Sequence, residues 1–209
     1  MSGAAFLPDG RTVVTAGGDE SVRLWDATDG REVRRVTGLR GYVSQLALSP
    51  DGKTLALASH INTSMHTLSL WETATGRRLR DLYSGERYIG YPVFAPDGRT
   101  LAAGFPQDRR VRLWDTGSWQ ERPALEVLGT SYLAFTPDGR TLLGVGGAEP
   151  YATSAWMIDT ATGKVKAASP PAARTTPTAL RSRRTASSWS PAANSALRTA
   201  ACPPLVTAA

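Results

Sequence analysis

The stretch "FLPDGRTVVTAGG", residues 6–18, decides how this chain folds. In it Pro8, Asp9 and Gly10 separate a short apolar segment from a second one rich in β-branched residues. Proline presets the first central turn position and aspartate suits the next. Glycine adopts the left-handed conformation that often closes a β-hairpin. The stretch therefore predicts two antiparallel strands joined by a tight turn.

The PDG tripeptide occurs four times, and the distances between its copies reveal an internal repeat. Its prolines are Pro8, Pro50, Pro96 and Pro137, which are separated by 42, 46 and 41 residues. Each copy is followed by Arg or Lys, then Thr and an apolar run, and each is preceded by another short apolar segment. Repeats of this length are typical of solenoids, propellers and arrays.

A third apolar segment follows each hairpin. These segments read "SVRLWD" (21–26), "TLSLWE" (67–72), "RVRLWD" (110–115) and, in a degenerate form, "AWMID" (155–159). A turn and a more charged strand come next, so each unit has four short antiparallel strands. Because the units resemble one another, they favour propeller blades over a sandwich. The fold class expected is all-β, with blades at about 4–38, 39–85, 86–128 and 129–167.

The combined pattern over residues 4–167 resembles the WD40-repeat family, in particular its bacterial PDG-rich members. The resemblance implies a β-propeller, here a partial one of about four blades. It also implies that the large flat side chains of Trp25, Trp71 and Trp114 fill the space between blades. We therefore expect these tryptophans in the core.

The sequence departs from the family pattern at one buried network. WD40 units usually carry Gly-His before the first strand, and that histidine bonds Asp, Ser or Thr, and Trp. Here the matching positions read Gly38-Leu39 and Gly85-Glu86, while Asp19 keeps the family's aspartate position without a histidine. We expect the network to be absent, packing to substitute for it, and stability to be lower.

Composition excludes several classes of protein. The 209 residues are 41% apolar and 20% charged, as in a soluble globular protein. No apolar run approaches the roughly 18 residues of a membrane helix, and "MSGAAFLPDG" lacks the features of a signal peptide. The default location is cytoplasmic. Cys202 is the only cysteine, so no internal disulfide is expected.

The two histidines, His60 and His66, flank the loop "INTSM". They could form a metal pair, but no third ligand is evident and loop imidazoles are usually solvated. We therefore expect no metal and no cofactor.

The segment "RSRRTASSWSPAA", residues 181–193, belongs to a basic tail. Residues 169–209 hold five arginines and no Lys, Asp or Glu, which leaves 19 basic and 18 acidic residues in 1–168. Such a tail could bind nucleic acid or be a disordered segment. Codons that fit residues 183–193 also read, in a shifted frame, P-D-G-K-L-L-V-S-G-G. We therefore interpret 168–209 as a disordered, frameshifted remnant of a fifth repeat with no nucleic-acid function.

Four units cannot close the seven-blade ring common in the family, and the chain begins inside a first strand. We expect a piece of a larger propeller, with exposed edges that favour association.

The leading functional hypothesis is a non-enzymatic protein–protein interaction scaffold, with the chain a fragment of a larger signalling protein. The alternatives are a ligand-binding or catalytic propeller fragment and a pseudogene product without function. The first strands should line the central channel, and their only hydroxyls are Ser49 and Thr136. No catalytic residues are therefore expected, and the partners are other proteins, not nucleic acid or a membrane.

Two loops between blades, 38–45 and 85–91, are the expected binding surface. Aligned on their PDG turns, Tyr42 and Tyr88 are equivalent, with Arg40 and Arg87 beside them. Tyr and Arg often anchor protein interfaces because they bury much area and keep a polar group. The alternative is that both tyrosines cover the ends of the blade core.

Overall fold

The computed structural model describes residues 3–127, 131–146 and 154–168. Their strands form four separate four-stranded sheets, each in simple sequential order and antiparallel throughout. We name these sheets blades 1 to 4. The all-β prediction with four antiparallel strands per blade is confirmed.

The blades follow one another along the chain. Blade 1 contains β1 (Gly3–Phe6), β2 (Thr12–Ala16), β3 (Val22–Asp26) and β4 (Glu32–Val36). Blade 2 contains β5 (Tyr42–Leu48), β6 (Thr54–His60), β7 (His66–Glu72) and β8 (Arg78–Gly85). Blade 3 contains β9 (Val93–Phe94), β10 (Thr100–Phe105), β11 (Arg110–Asp115) and β12 (Glu121–Glu126), with a 3-10 turn at Pro106–Asp108. Blade 4 contains β13 (Tyr132–Phe135), β14 (Thr141–Gly146), β15 (Ser154–Asp159) and β16 (Val165–Ala168).

The PDG tripeptides form the tight turns that the sequence predicts. In the first of them, Gly10 N donates to Leu7 O at 3.0 Å, and the glycine has a φ of 65°. Asp9 Oδ1 accepts from the backbone N of Arg11 at 2.8 Å and of Thr12 at 2.9 Å. These bonds lower the pKa of Asp9 because they stabilise the carboxylate. The recurring aspartates therefore serve the turns.

Packing between successive blades builds the core. We call the face of each blade that carries the tryptophan of the WD pair its leading face, and the opposite face its trailing face. Trp71 on blade 2 packs in one cluster with Val14 and Leu24 of blade 1, and is 6% exposed. Trp114 on blade 3 packs with Leu70 of blade 2 and is 2% exposed. Each leading face thus covers the trailing face of the blade before it.

Trp25 differs from the other two tryptophans. It is only half-buried, so its expected core position is wrong. The reason is that Trp25 lies on the leading face of blade 1, and no described blade precedes it.

Hydrogen bonds partly replace the missing histidine network. Trp25 Nε1 donates to Thr15 Oγ1 at 2.8 Å, and Trp71 Nε1 donates to Ser69 Oγ at 2.8 Å. Asp19 accepts from Ser21 Oγ at 2.9 Å and pairs with Arg23. These hydrogen bonds add to the packing that we expected to substitute for the network.

The packing of side chains in blade 4 explains why its WD motif is degenerate. Ile158 occupies the tryptophan position and is 1% exposed. Trp156, two residues earlier, lies opposite Gly144, where an added Cβ would come within 2.0 Å of the indole. The glycine therefore makes room for a displaced tryptophan.

The predicted disordered tail lies outside the described residues, and so does the segment 181–193. The frameshift interpretation stays a prediction. In the described part of the chain, no helix has the length and apolar character needed to cross a membrane.

Candidate functional site

The two tyrosines singled out by the sequence meet around the two histidines. The Tyr42 ring stacks on the His60 ring, with centroids 4.7 Å apart and planes 6° apart. The Tyr88 ring lies 5.6 Å from that of His60 and 5.9 Å from that of His66. The two imidazoles are 4.4 Å apart. We call these four side chains the tyrosine–histidine cluster.

The β6–β7 hairpin positions both histidines. His60 ends β6, His66 begins β7, and the two are direct partners across the strands. Asn62 Oδ1 closes the loop by accepting from the backbone N of Ser64 at 2.9 Å and of Met65 at 2.8 Å. The expectation of solvated loop histidines is wrong, because His66 is 8% exposed.

Gly41 brings Tyr42 onto the hairpin. The sequence placed Tyr42 in a loop, but it is the first residue of β5 and pairs with His60. Gly41 has a φ of 77°, and a Cβ there would lie 1.9 Å from the His60 carbonyl oxygen. Such close contact requires glycine.

Tyr88 is held in place by contacts of its loop with blades 2 and 3. Its backbone N donates to Gln107 Oε1 at 2.8 Å. The backbone N of Arg87 donates to the Tyr83 hydroxyl at 2.9 Å, and Arg87 Nε lies 3.0 Å from Asp108 Oδ1. Burial raises the pKa of the Tyr88 hydroxyl, and Tyr91 and Tyr42 add to this. Tyr88 is therefore a half-buried, neutral phenol.

The predicted site residues differ in exposure. The structure brings Tyr42 and Tyr88 together, and Tyr42 is 44% exposed. The Arg87 side chain is 57% exposed despite its ion pair. Arg40 is exposed on the segment that leads into β5. The surface thus offers aromatic rings flanked by two cationic side chains.

A second aromatic pair continues this surface toward blade 4. The rings of Tyr91 and Tyr132 stack with centroids 4.5 Å apart and planes 24° apart. Sequence reasoning missed this pair, although each tyrosine stands five residues before the proline of a PDG turn. It also missed the histidines as members of the site. The sequence signal that could have indicated their role is their position at the two ends of the β6–β7 loop.

Burial keeps the two histidines neutral. It lowers the pKa of both imidazoles below the ordinary value of 6.5, and His66 lowers the pKa of His60 further. His66 Nδ1 is buried without a hydrogen-bond partner. A proton on either ring would therefore be unfavourable in the folded state.

We expect thermal stability to fall between about pH 7.5 and about pH 5.5. Above the ordinary histidine pKa both rings are neutral in the folded and unfolded chain, so the stability is complete. As the pH drops, the unfolded chain binds protons that the folded cluster resists, and unfolding becomes easier. Differential scanning calorimetry across this range measures the change in melting temperature.

A His60→Phe, His66→Leu double variant is the matched control, and its melting temperature should vary less over the same range. Asp115 and Asp159 lose their charge well below this range. Hydrogen bonds from Arg122 and Lys166 hold the pKa of Asp115 and Asp159 at about 2. A variant with an unchanged pH response would show that the histidines are not responsible.

The hydroxyls predicted to face the channel are held in turns. Ser49 Oγ donates to Asp51 Oδ1 at 2.6 Å and accepts from Thr54 N at 2.9 Å. Thr136 Oγ1 makes the same type of contact with Asp138, also at 2.6 Å. Across residues 3–127, 131–146 and 154–168, no three His, Cys, Asp or Glu side chains group as metal ligands.

Known proteins resemble parts of this chain. The family model "WD domain, G-beta repeat" matches residues 1–26 and 91–115. An uncharacterised WD repeat-containing protein of Synechocystis sp. is 36% identical over 53 residues, which are 25% of this chain and 15% of that protein. Hydrazine synthase of Kuenenia stuttgartiensis has a similar fold, with a TM-score of 0.69 and 21% identity over 80% of this chain. This chain spans about half of that one, 48%.

These matches agree with the geometry of the blades. The matched residues contain the PDG hairpin of blade 1 and the WD strands β3 and β11. Four-stranded blades and PDG turns recur along the described residues, and blades 1 to 3 carry the tryptophan. The chain is therefore similar to WD-repeat proteins in the two segments that the family model matches.

Proposed function

We propose that this chain is a non-enzymatic protein-interaction module and that it binds its partner through the tyrosine–histidine cluster, with Arg40 and Arg87 at its rim. One observation carries the proposal. Tyr42 and Tyr88 are 46 residues apart in the sequence, yet both contact the same imidazole. Two adjacent blades thus contribute equivalent residues to one surface.

The composition of this surface supports binding of a protein. Tyrosine and arginine are enriched among the residues that dominate interface energetics, because they bury much area while keeping a polar group. Both tyrosines already pack against imidazoles, so little rotational freedom is lost when a partner covers them. The exposed ring of Tyr42 and the guanidinium of Arg87 remain accessible.

Strand pairing holds the backbone beneath the cluster, which also favours binding. β5, β6 and β7 are paired along their lengths, and the Tyr88 loop is tied to Gln107. A surface held in its bound geometry avoids the ordering cost of a mobile loop.

A catalytic role has less support. Ser49 and Thr136 are engaged in their own turns. The fold likeness to hydrazine synthase shows architecture alone, because a fold does not determine chemistry. The blades are nearly neutral in charge, which favours a protein partner over nucleic acid or a membrane surface. We further propose that the module works in the cytoplasm as part of a larger signalling protein.

The test is affinity capture from the native host with the unmodified chain and the Tyr42→Ala, Tyr88→Ala double variant. We expect the variant to lose the captured protein because the aromatic contacts are gone. Val33→Ala, Leu79→Ala is the matched control, since it removes side chains that are 62% and 39% exposed on outer strands.

Circular dichroism of all three proteins decides how a loss is interpreted. The proposal requires unchanged spectra and a loss confined to the tyrosine variant. Retained capture, equal loss in the control, or unfolding of the tyrosine variant would assign these side chains to structure.

A further inference from the structure

The leading face of blade 1 is exposed although it carries core residues. Phe6, Val13 and Trp25 form one cross-strand row on this face. Phe6 is 64% exposed, and the other two are half-buried. The corresponding row of blade 3 is 8%, 0% and 2% exposed, in the order Phe94, Leu101, Trp114. The row on blade 1 therefore has the kind of side chains that are buried between blades elsewhere in the structure, but here they are accessible to solvent.

The trailing face of blade 4 has the complementary property. Its central residues Leu143 and Met157 are direct cross-strand partners and are half-buried. The same positions in blade 3 hold Ala102 and Leu113, which are 0% and 7% exposed beneath blade 4. Leu143 and Met157 would be covered in the same way by a following leading face.

A hollow on the leading face of blade 1 marks where side chains of another blade would enter. It has a volume of about 300 Å³ and lies between Thr15, Ser21 and Trp25. Leu24 and Val14 supply the apolar contacts at the equivalent interface between blades 1 and 2. Met157 and Leu143 are their counterparts on blade 4.

We propose that two copies of this chain associate head to tail. The trailing face of blade 4 in each copy packs on the leading face of blade 1 in the other. The partner is a second copy because one chain carries both halves of an interface that it already forms three times internally. Such pairing uses different surfaces on the two copies and closes only if the rotation completes a ring.

Two copies would bring together eight of the described blades, which is the upper end of the usual range for propellers. A closed ring of two copies contains two identical interfaces. Once the first interface has formed, the second forms within the same complex, and this strengthens the association. Tyr42 and Tyr88 lie between blades 2 and 3, away from both end faces. The inference is therefore independent of the proposed function, and its failure would leave that proposal unaffected.

The test is sedimentation equilibrium of the full chain and two single variants. The unmodified 22.3 kDa chain should sediment as a dimer. Phe6→Asp and Leu143→Asp, which block opposite faces, should each halve the mass. Mixing them should restore dimers, because one variant keeps the trailing face and the other keeps the leading face.

Leu79→Asp is the matched control, since Leu79 is 39% exposed on blade 2, between two other blades, and this variant should stay dimeric. Met157→Glu replaces Leu143→Asp if circular dichroism shows that the latter is unfolded. A monomeric unmodified chain would overturn the proposal. Dimers of one variant alone, or a mixture that stays monomeric, would also contradict head-to-tail pairing.

Discussion

Replacing Gly41 by alanine should lower the free energy of unfolding by about 2–5 kcal/mol. Its φ of 77° is unfavourable for any residue with a Cβ. The new methyl would also meet backbone atoms of His60 and Ile61 at 1.9 Å to 2.6 Å, which no side-chain rotation can relieve. β5 must therefore move away from the β6–β7 hairpin, and Tyr42 with it. Urea unfolding followed by far-UV circular dichroism measures the loss.

A variant at Gly38 distinguishes backbone strain from steric overlap as the cause of the loss. Its φ is 80°, but an added Cβ would meet nothing within 4 Å. Gly38→Ala should therefore cost only the backbone strain, about 1–2 kcal/mol. Equal losses for the two variants would mean that the close approach of Gly41 to the hairpin is not required.

Replacing Trp114 by alanine should cost about 3–5 kcal/mol, because it leaves a cavity between blades 2 and 3. The indole is 2% exposed and packs with residues of both blades. Trp25→Ala is the control, since the equivalent side chain is half-buried on an end face. Its loss should be clearly smaller when the chain is monomeric.

Chemical denaturation of both tryptophan variants checks the difference. A similar loss at the two positions in the monomer would contradict the stacking of blades by their leading faces.

The parts of the fold that depend on local chemistry could be predicted from the sequence. Pro, Asp and Gly specify each hairpin through backbone angles and short-range hydrogen bonds, as Asp9 and Gly10 show. Because the hairpin sequence occurs four times, four blades could be expected. The WD segments indicated a third strand in each blade, so the sheets of the blades could be predicted from the repeated pattern.

The features that depend on distant contacts were harder to predict. The exposure of Trp25 depends on which blade lies beside it, and the motif around Trp25 does not encode that neighbour. The bond from Trp71 to Ser69 depends on a hydroxyl two residues away that the family pattern does not include.

The candidate site was predictable in part for the same reason. Alignment of the PDG turns identified Tyr42 and Tyr88 as equivalent residues, because the repeat places them alike. The contacts of Tyr88 with His60 and His66 were not predictable, since they require the angle between blades 2 and 3. The stacking of Tyr42 on His60 depends on the pairing of β5 with β6. The histidines belong to the β6–β7 hairpin. His66 is buried because of how the strands pair, and the composition of the hairpin does not reveal this.

The central claim, that the tyrosine–histidine cluster is the binding surface, can be tested by NMR of the imidazole groups. His60 and His66 are the only two histidines in the chain, so their signals report on the cluster alone. The probe is the host protein eluted from affinity capture with the unmodified chain. We predict that adding it shifts or broadens both imidazole signals and leaves the Trp25 indole signal unchanged. Bound protein with unchanged imidazole signals would contradict the claim.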